Sequence, residues 1–200
     1  MLQIACVVEG HGECESVPIL IRRIAGFFDP GLAVHVPHPI RIAKSKLLKQ
    51  GELERAVQLA ALHAGDNGGI LVMLDSGDDC PAQLAPNLLA RTRAARGDRP
   101  SAVVLPNKEF EAWFLAAAQS LRGLKGLPED LEPPIQPESV RGAKEWLKQR
   151  VRTGAYSPNL DQASLTAAFD LDAARVAPSF DKCYREVIRL LTEVRAREGR

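Results

Sequence analysis

Four short apolar runs, residues 2–8, 33–36, 70–74 and 101–105, alternate along this chain with longer segments whose apolar residues recur at helical spacing. Strand-length runs separated by helix-length patterns leave little choice of architecture, because such chains form βαβ units around a mainly parallel sheet. The expected fold class is therefore α/β, a mainly parallel four-stranded sheet flanked by helices. Residues 15–28 place Val17, Leu20, Ile21, Ile24, Phe27 and Phe28 on one helical face, with Pro18 tolerated only near the first turn. Residues 52–63 and 82–96 repeat the helical pattern, and residues 107–113 lead into a helix reaching residue 118. The arginines 91, 93 and 96 suit the C-terminus of the 82–96 helix, whose dipole favours cations. No strand-like run follows residue 105. The predicted organisation is an α/β core over 1–122 and a helical extension over 123–200 packed on it, with helices at 138–151 and 180–197.

The strand ends carry the chemistry. In parallel α/β sheets the carboxyl ends of neighbouring strands open onto one crevice, and here the first run stops at Glu9 while the third runs into Asp75, Asp78 and Asp79. Three acids within five residues repel one another unless they hold a cation or point into water, and hard oxygen donors suit Mg²⁺ or Mn²⁺ better than Zn²⁺. An Asp-Ser-Gly-Asp-Asp stretch is also ordinary turn chemistry. Glu9 has no capping task beside its glycines, Gly10 and Gly12, which permit a tight turn and close approach of backbone to a ligand. Glu13, near the start of the next helix, fits a capping role as well as a site role. His11 is the one histidine in a candidate site loop and would titrate near neutrality as a general base.

Glu109 and Glu111 follow the fourth run; two apart in a helix they diverge, so at most one faces the crevice, and Glu111 is the choice. Trp113 and Phe114 read as core, or as a seam against the helical tail. Arg41, Lys44, Lys46 and Lys49 form a basic strip that suits phosphate contact or a solvated face, and Lys108 suits the same two readings. With 26 Lys plus Arg against 25 Asp plus Glu, no global polycation advertises nucleic acid. The four cysteines show no CxxC spacing and read as reduced thiols. The chain opens on no export signal and holds no apolar run of membrane-spanning length, so a soluble, cytoplasmic protein with no membrane association is expected.

Taken in order, Val8-Glu-Gly-His-Gly-Glu13, Leu74-Asp-Ser-Gly-Asp-Asp-Cys-Pro81, Glu109-Phe-Glu-Ala-Trp-Phe-Leu115 and the 169–180 region resemble a bacterial Toprim-like family of unknown function. Its wider relatives are the Toprim cores of primases, topoisomerases and overcoming-lysogenisation-defect nucleases. The resemblance implies a Toprim-like fold, and a glutamate at Glu9 that binds metal or moves protons. It further implies an aspartate at Asp75, a Mg²⁺ or Mn²⁺ cofactor, and a setting near ATPases and phage-defence systems. One departure stands out: Gly77 occupies the place of the second aspartate, leaving Asp78 or Asp79 to substitute in a shifted register. Two functions follow as expectations. The first is Mg²⁺-dependent phosphoryl transfer on nucleic acid, of the endonuclease type, with Glu9, Asp75 and Asp78 or Asp79 holding metal and Glu9 or His11 moving the proton. The second is a catalytically inactive module that binds nucleic acid, a nucleotide or a partner ATPase.

Overall fold

The structure, a computed structural model, describes residues 1–152 and 154–199. Its centre is β1 (Leu2–Val8), flanked on one edge along residues 4–8 by β4 (Gly69–Met73), which in turn pairs with β5 (Ser101–Val104). The opposite edge of β1 takes two fragments: β2 (Val34–His35) against Leu2 and Gln3, and β3 (Ile40–Arg41) against Val7 and Val8. All pairings are parallel, in the order β2-β1-β4-β5 with β3 beside β1. The single second strand expected over 33–36 is thus an interrupted edge. Pro37 and Pro39 fall between its halves, and proline lacks the N–H that a continuous ladder requires.

Period-two alternation sorts the strand side chains onto two apolar layers. Ile4, Cys6, Val8, Leu71, Met73, Ala102 and Val104 join one cluster, while Ala5, Val7, Ile70, Val72, Val103 and Leu105 join the other. The second layer is covered by α3 (Glu52–His63), through Leu53, Ala56, Val57 and Ala60, and by α4 (Pro81–Ala95), through Ala85 and Leu88. A short α2 (Lys44–Leu47) precedes α3. Over the first layer lie α1 (His11–Phe28) and the long C-terminal helix, here α9 (Pro178–Glu198). Between β5 and α9 the chain forms α5 (Ala112–Ala116), α6 (Ala143–Arg150), α7 (Pro158–Ala168) and α8 (Leu171–Ala174). Among the described residues, no helix is long and apolar enough to cross a membrane.

Two helices differ from expectation for local reasons. α1 begins at His11, because the Glu13 carboxylate turns back to accept the Gly10 N–H and closes the first turn. Pro18 therefore sits inside the helix, which gives up the bond that residue 18 would donate to the Cys14 carbonyl. The segment expected as one helix over 138–151 is a 3₁₀ turn at Pro137–Ser139 followed by α6, with Gly142 in the left-handed region (φ 71°) between them.

One apolar cluster joins the sheet to residues far along the tail, from Leu2 to Val194. Its centre is a chain of aromatic rings: Phe110 on Trp113 (4.7 Å between centroids), Trp113 on Phe180 (5.2 Å), Phe180 on Phe169 (5.4 Å) and Phe169 on Phe114 (5.6 Å). Trp113 Nε1 donates to Ser179 Oγ at 2.8 Å. The two residues read as core or seam are both, since they bind the strand layer to α8 and α9. Just before Phe169, α7 lies so close to α1 that a Cβ on Gly12 would overlap the Gln162 side chain and stand 2.9 Å from the Pro158 carbonyl. Gly12 serves that helix contact, which seats Gln162 beneath the strand ends. Removing the Phe169 ring should leave a cavity at the middle of the aromatic chain. Phe169→Ala is expected to cost about 3–5 kcal/mol of unfolding free energy in urea titrations; a loss below about 1 kcal/mol, surface-like in size, would contradict this packing.

Candidate functional site

Glu9 and Asp75 emerge from the carboxyl ends of β1 and β4, which are adjacent and in register at Val8 and Met73. The loops after β4 and β5 are stitched together. Ser76 N–H donates to the Pro106 carbonyl at 3.0 Å, Gly77 N–H to the Lys108 carbonyl at 3.0 Å, and Lys108 N–H to Ser76 Oγ at 2.7 Å. Gly77 has a φ of 57° and Lys108 of 65°. The first is a conformation that glycine adopts without penalty. The same stitching brings Phe110 N–H to Asp75 Oδ1 at 2.8 Å.

Lys144, on the first turn of α6, occupies the middle of the crevice. Its ammonium nitrogen lies 3.4 Å from Asp75 Oδ2, 3.6 Å from Glu111 Oε2 and 3.8 Å from Glu109 Oε1. Its own backbone N–H donates to Glu109 Oε2 at 3.0 Å. The expected divergence of Glu109 and Glu111 does not arise, because α5 begins only at Ala112 and the preceding residues form a turn. Glu111 is fully buried, and its Oε1 accepts from Tyr156 OH at 2.9 Å and Gln162 Nε2 at 3.4 Å. Gln162 is oriented in turn by Ser16 Oγ at 3.1 Å. Two carboxylate oxygens, Glu9 Oε2 and Glu111 Oε2, are buried and accept no hydrogen bond.

Crowding and burial load this cluster with protons. Burial pushes Asp75 up to about 7, the Lys144 ammonium pulling it down while Glu111 and Glu9 push it further up. Glu111 also rises to about 7 through burial, against the lowering effects of Lys144 and the Tyr156 hydroxyl. Glu13, buried beneath the loop, reaches about 7 from burial and from the Asp75 charge, with the Gly10 N–H opposing. Lys144 moves the other way. Burial alone would lower it, but Glu111, Asp75, Glu109 and Glu13 outweigh that and keep it firmly protonated.

The remaining sequence candidates fall elsewhere. Asp78 is exposed and meets Arg141 at 3.3 Å, and Asp79 pairs with Lys44 at 2.9 Å, so neither turns toward Glu9. Lys44 also donates to the Ser76 carbonyl. His11 is exposed at the first position of α1. Arg41 and Lys46 are exposed, Lys46 lying 3.7 Å from Glu52. Lys108 donates through Nζ to the Ser139 carbonyl at 3.0 Å and lines a small cavity of about 160 Å³ with Gly77, Asp78, Glu109, Arg141 and Gly142. Lys144, Tyr156, Gln162 and Ser16 have no signal in the sequence, since each is a common residue in a segment without a motif. Only the Tyr156-Ser-Pro loop marks a chain reversal.

Among the described residues, no group of three or more His, Cys, Asp and Glu side chains is placed to hold a metal ion. Mg²⁺ asks for less, since it keeps several waters and takes one or two carboxylates together with substrate phosphate. Glu9 and Asp75 are the hard oxygen donors at neighbouring strand ends that could answer that demand, and Glu9 Oε2 is buried and accepts no hydrogen bond.

Fold and site together define a parallel α/β protein with a cluster of buried carboxylates around a lysine at the carboxyl end of its sheet. The chain belongs to the family described as Domain of unknown function (DUF4276), whose model matches residues 8–187. No curated protein and no solved structure matches it.

The raised carboxyls set a direction for stability against pH. A carboxyl near 7 in the folded chain and near 4 in the unfolded one holds its proton only when folded between those values, so stability falls as pH rises through that window. Urea unfolding from pH 5 to 7.5 is expected to show this decline, and Glu111→Gln to make it shallower. Parallel profiles for the two proteins would contradict the placement of Glu111.

Proposed function

We propose that this protein is a Mg²⁺- or Mn²⁺-dependent phosphodiester hydrolase acting on nucleic acid, an endonuclease of Toprim type. The observation that carries the reading is that Glu9 and Asp75 follow the ends of two adjacent parallel strands, with the Glu9 charge acting on Asp75 and Glu9 Oε2 accepting no hydrogen bond. Glu9 and Asp75 would hold the cation, and Phe110 N–H fixes the Asp75 carboxylate for that task. When bound, a divalent ion supplies polarisation of the phosphate and a water acidified for attack. Glu13, at about 7, can hold or release a proton at neutral pH, and exposed His11 at the same loop offers a second acceptor. Lys108 and the exposed Arg141 line one small cavity beside Glu109 and would serve as phosphate contacts, with the exposed Arg41 and Lys46 as further basic groups. Asp78 and Asp79, engaged with Arg141 and Lys44, are left out of the ligand set.

A second reading is favoured by Lys144. An ammonium already placed among Asp75, Glu109 and Glu111 neutralises part of the crevice, as a module that binds nucleic acid, a nucleotide or a partner ATPase without cleavage would require. Nuclease assays with Mg²⁺ and Mn²⁺ separate the two. Glu9→Gln and Asp75→Asn are each expected to lower cleavage by about 10²-fold or more, the scale of losing a positioned catalytic group, with circular dichroism melting curves retained. Full activity in either variant would remove the hydrolase reading. Nucleic-acid binding that falls with salt yet ignores both EDTA and Glu9→Gln would support the non-cleaving module.

A further inference from the structure

β5 is the last strand on its side of the sheet and pairs with β4 alone. Three bonds fix which of its backbone groups that pairing uses. Ile70 N–H donates to the Pro100 carbonyl at 2.9 Å, Leu74 N–H to the Val104 carbonyl at 3.4 Å and Ser76 N–H to the Pro106 carbonyl at 3.0 Å. The even-numbered residues of this stretch therefore face β4, and the backbone groups of Ser101, Val103, Leu105 and Asn107 point off the free edge. α9 caps both ends of that edge: Arg189 donates to the Ser101 carbonyl at 2.8 Å, and Ser179 Oγ accepts from the Asn107 N–H at 3.1 Å. Between the caps, Val103 and Leu105 are buried, and among the described residues their outward N–H and C=O groups meet no hydrogen-bond partner.

Buried backbone groups are rarely left unpaired, because each then costs about as much as a lost hydrogen bond. These two residues line a cavity of about 550 Å³ with α4 on one side and α9 on the other. α4 and α9 pack on opposite faces of the sheet, so the space between them beyond β5 is where a further strand would run. Its two walls differ. Ala82, Ala85, Pro86 and Leu89 make the α4 wall apolar, whereas α9 presents Lys182 and Glu186, paired at 3.3 Å. Side chains of an added strand would alternate between those walls.

We infer that the free edge of β5 is a docking site for an extended segment of a partner protein, which adds as a strand through main-chain hydrogen bonds to Val103 and Leu105. Its apolar residues, at alternate positions, pack on α4, and the polar residues between them face Lys182 and Glu186. At a rise of about 3.3 Å per residue, the stretch between the caps takes about three residues. Main-chain bonds supply the affinity in this mode of recognition, and the alternate side chains supply the specificity. The inference is independent of the hydrolase reading.

Cys80 lines the cavity and is exposed, whereas Cys6, Cys14 and Cys183 are buried, so the full wild-type chain carries its own attachment point for a test. Tetrapeptides of alternating apolar and polar residues, each bearing an N-terminal mercaptopropionyl group, are exchanged onto Cys80 in mercaptoethanol and followed by intact mass. They are expected to stay attached at about 10-fold higher mercaptoethanol than mercaptopropionamide does, the margin of one good contact. Methylating the peptide nitrogens one at a time is expected to erase that margin at the amide that pairs. In ¹⁵N-labelled protein, the Val103 and Leu105 amides are expected to exchange with solvent more slowly once the peptide is attached. A margin that survives methylation at every position would overturn the inference and make the cavity a site for an apolar small molecule. Peptides held no better than mercaptopropionamide would also overturn it, as would unchanged exchange at Val103 and Leu105 in the attached complex.

Discussion

Burying Asp75, Glu111 and Glu13 near one another is unfavourable unless positive charge goes in with them, because low-dielectric surroundings strengthen the repulsion that water would screen. Lys144 supplies that charge, and much of the architecture can be understood as delivering it. The acids come from the first turn of α1, the loop after β4 and the turn after β5, whereas the lysine comes from the helical tail. The site is therefore complete only when the tail is docked. With Asp75 and Glu111 raised to about 7, protons held by these acids contribute to the neutralisation as well.

The tail is anchored by packing that starts at the carboxylate cluster itself, where Phe110 N–H also holds Asp75. The Phe110, Trp113, Phe114, Phe169 and Phe180 rings fasten α8 and α9 to the sheet layer, and the Gly12 contact seats α7 against α1. That second contact matters to the chemistry, because α7 carries Gln162 and the loop before it carries Tyr156, which together orient Glu111. Ser16, on α1, closes the chain of contacts through Gln162. Packing on one face of the sheet thus sets the geometry of carboxylates at its end.

Much of the scaffold was legible because its signals are periodic. Short apolar runs marked β1 and β4, helical spacing placed α3 at its observed bounds, and the strand-end rule drew attention to Glu9 and Asp75, which follow two adjacent strands. What escaped is non-local. Asp78 and Asp79 look equivalent to Asp75 in sequence, and only the turn through Gly77 decides that they face Arg141 and Lys44. Glu109 and Glu111 diverge on a helix and converge in the turn that forms instead. β3 is two residues long, too short to show as an apolar run, and Pro18 entered the interior of α1 because the Glu13 cap moved the helix start. Lys144 has no local signature at all, since its importance comes from three acids contributed by segments at least 33 residues earlier.

Diffraction from crystals soaked in Mn²⁺, with anomalous difference maps at the manganese edge, tests the central claim most directly. The account predicts a peak ligated by both Glu9 and Asp75, with the Lys144 ammonium retained beside Glu109 and Glu111. A fully soaked crystal with no peak between Glu9 and Asp75, or with manganese only on Asp78 and Asp79, would contradict it.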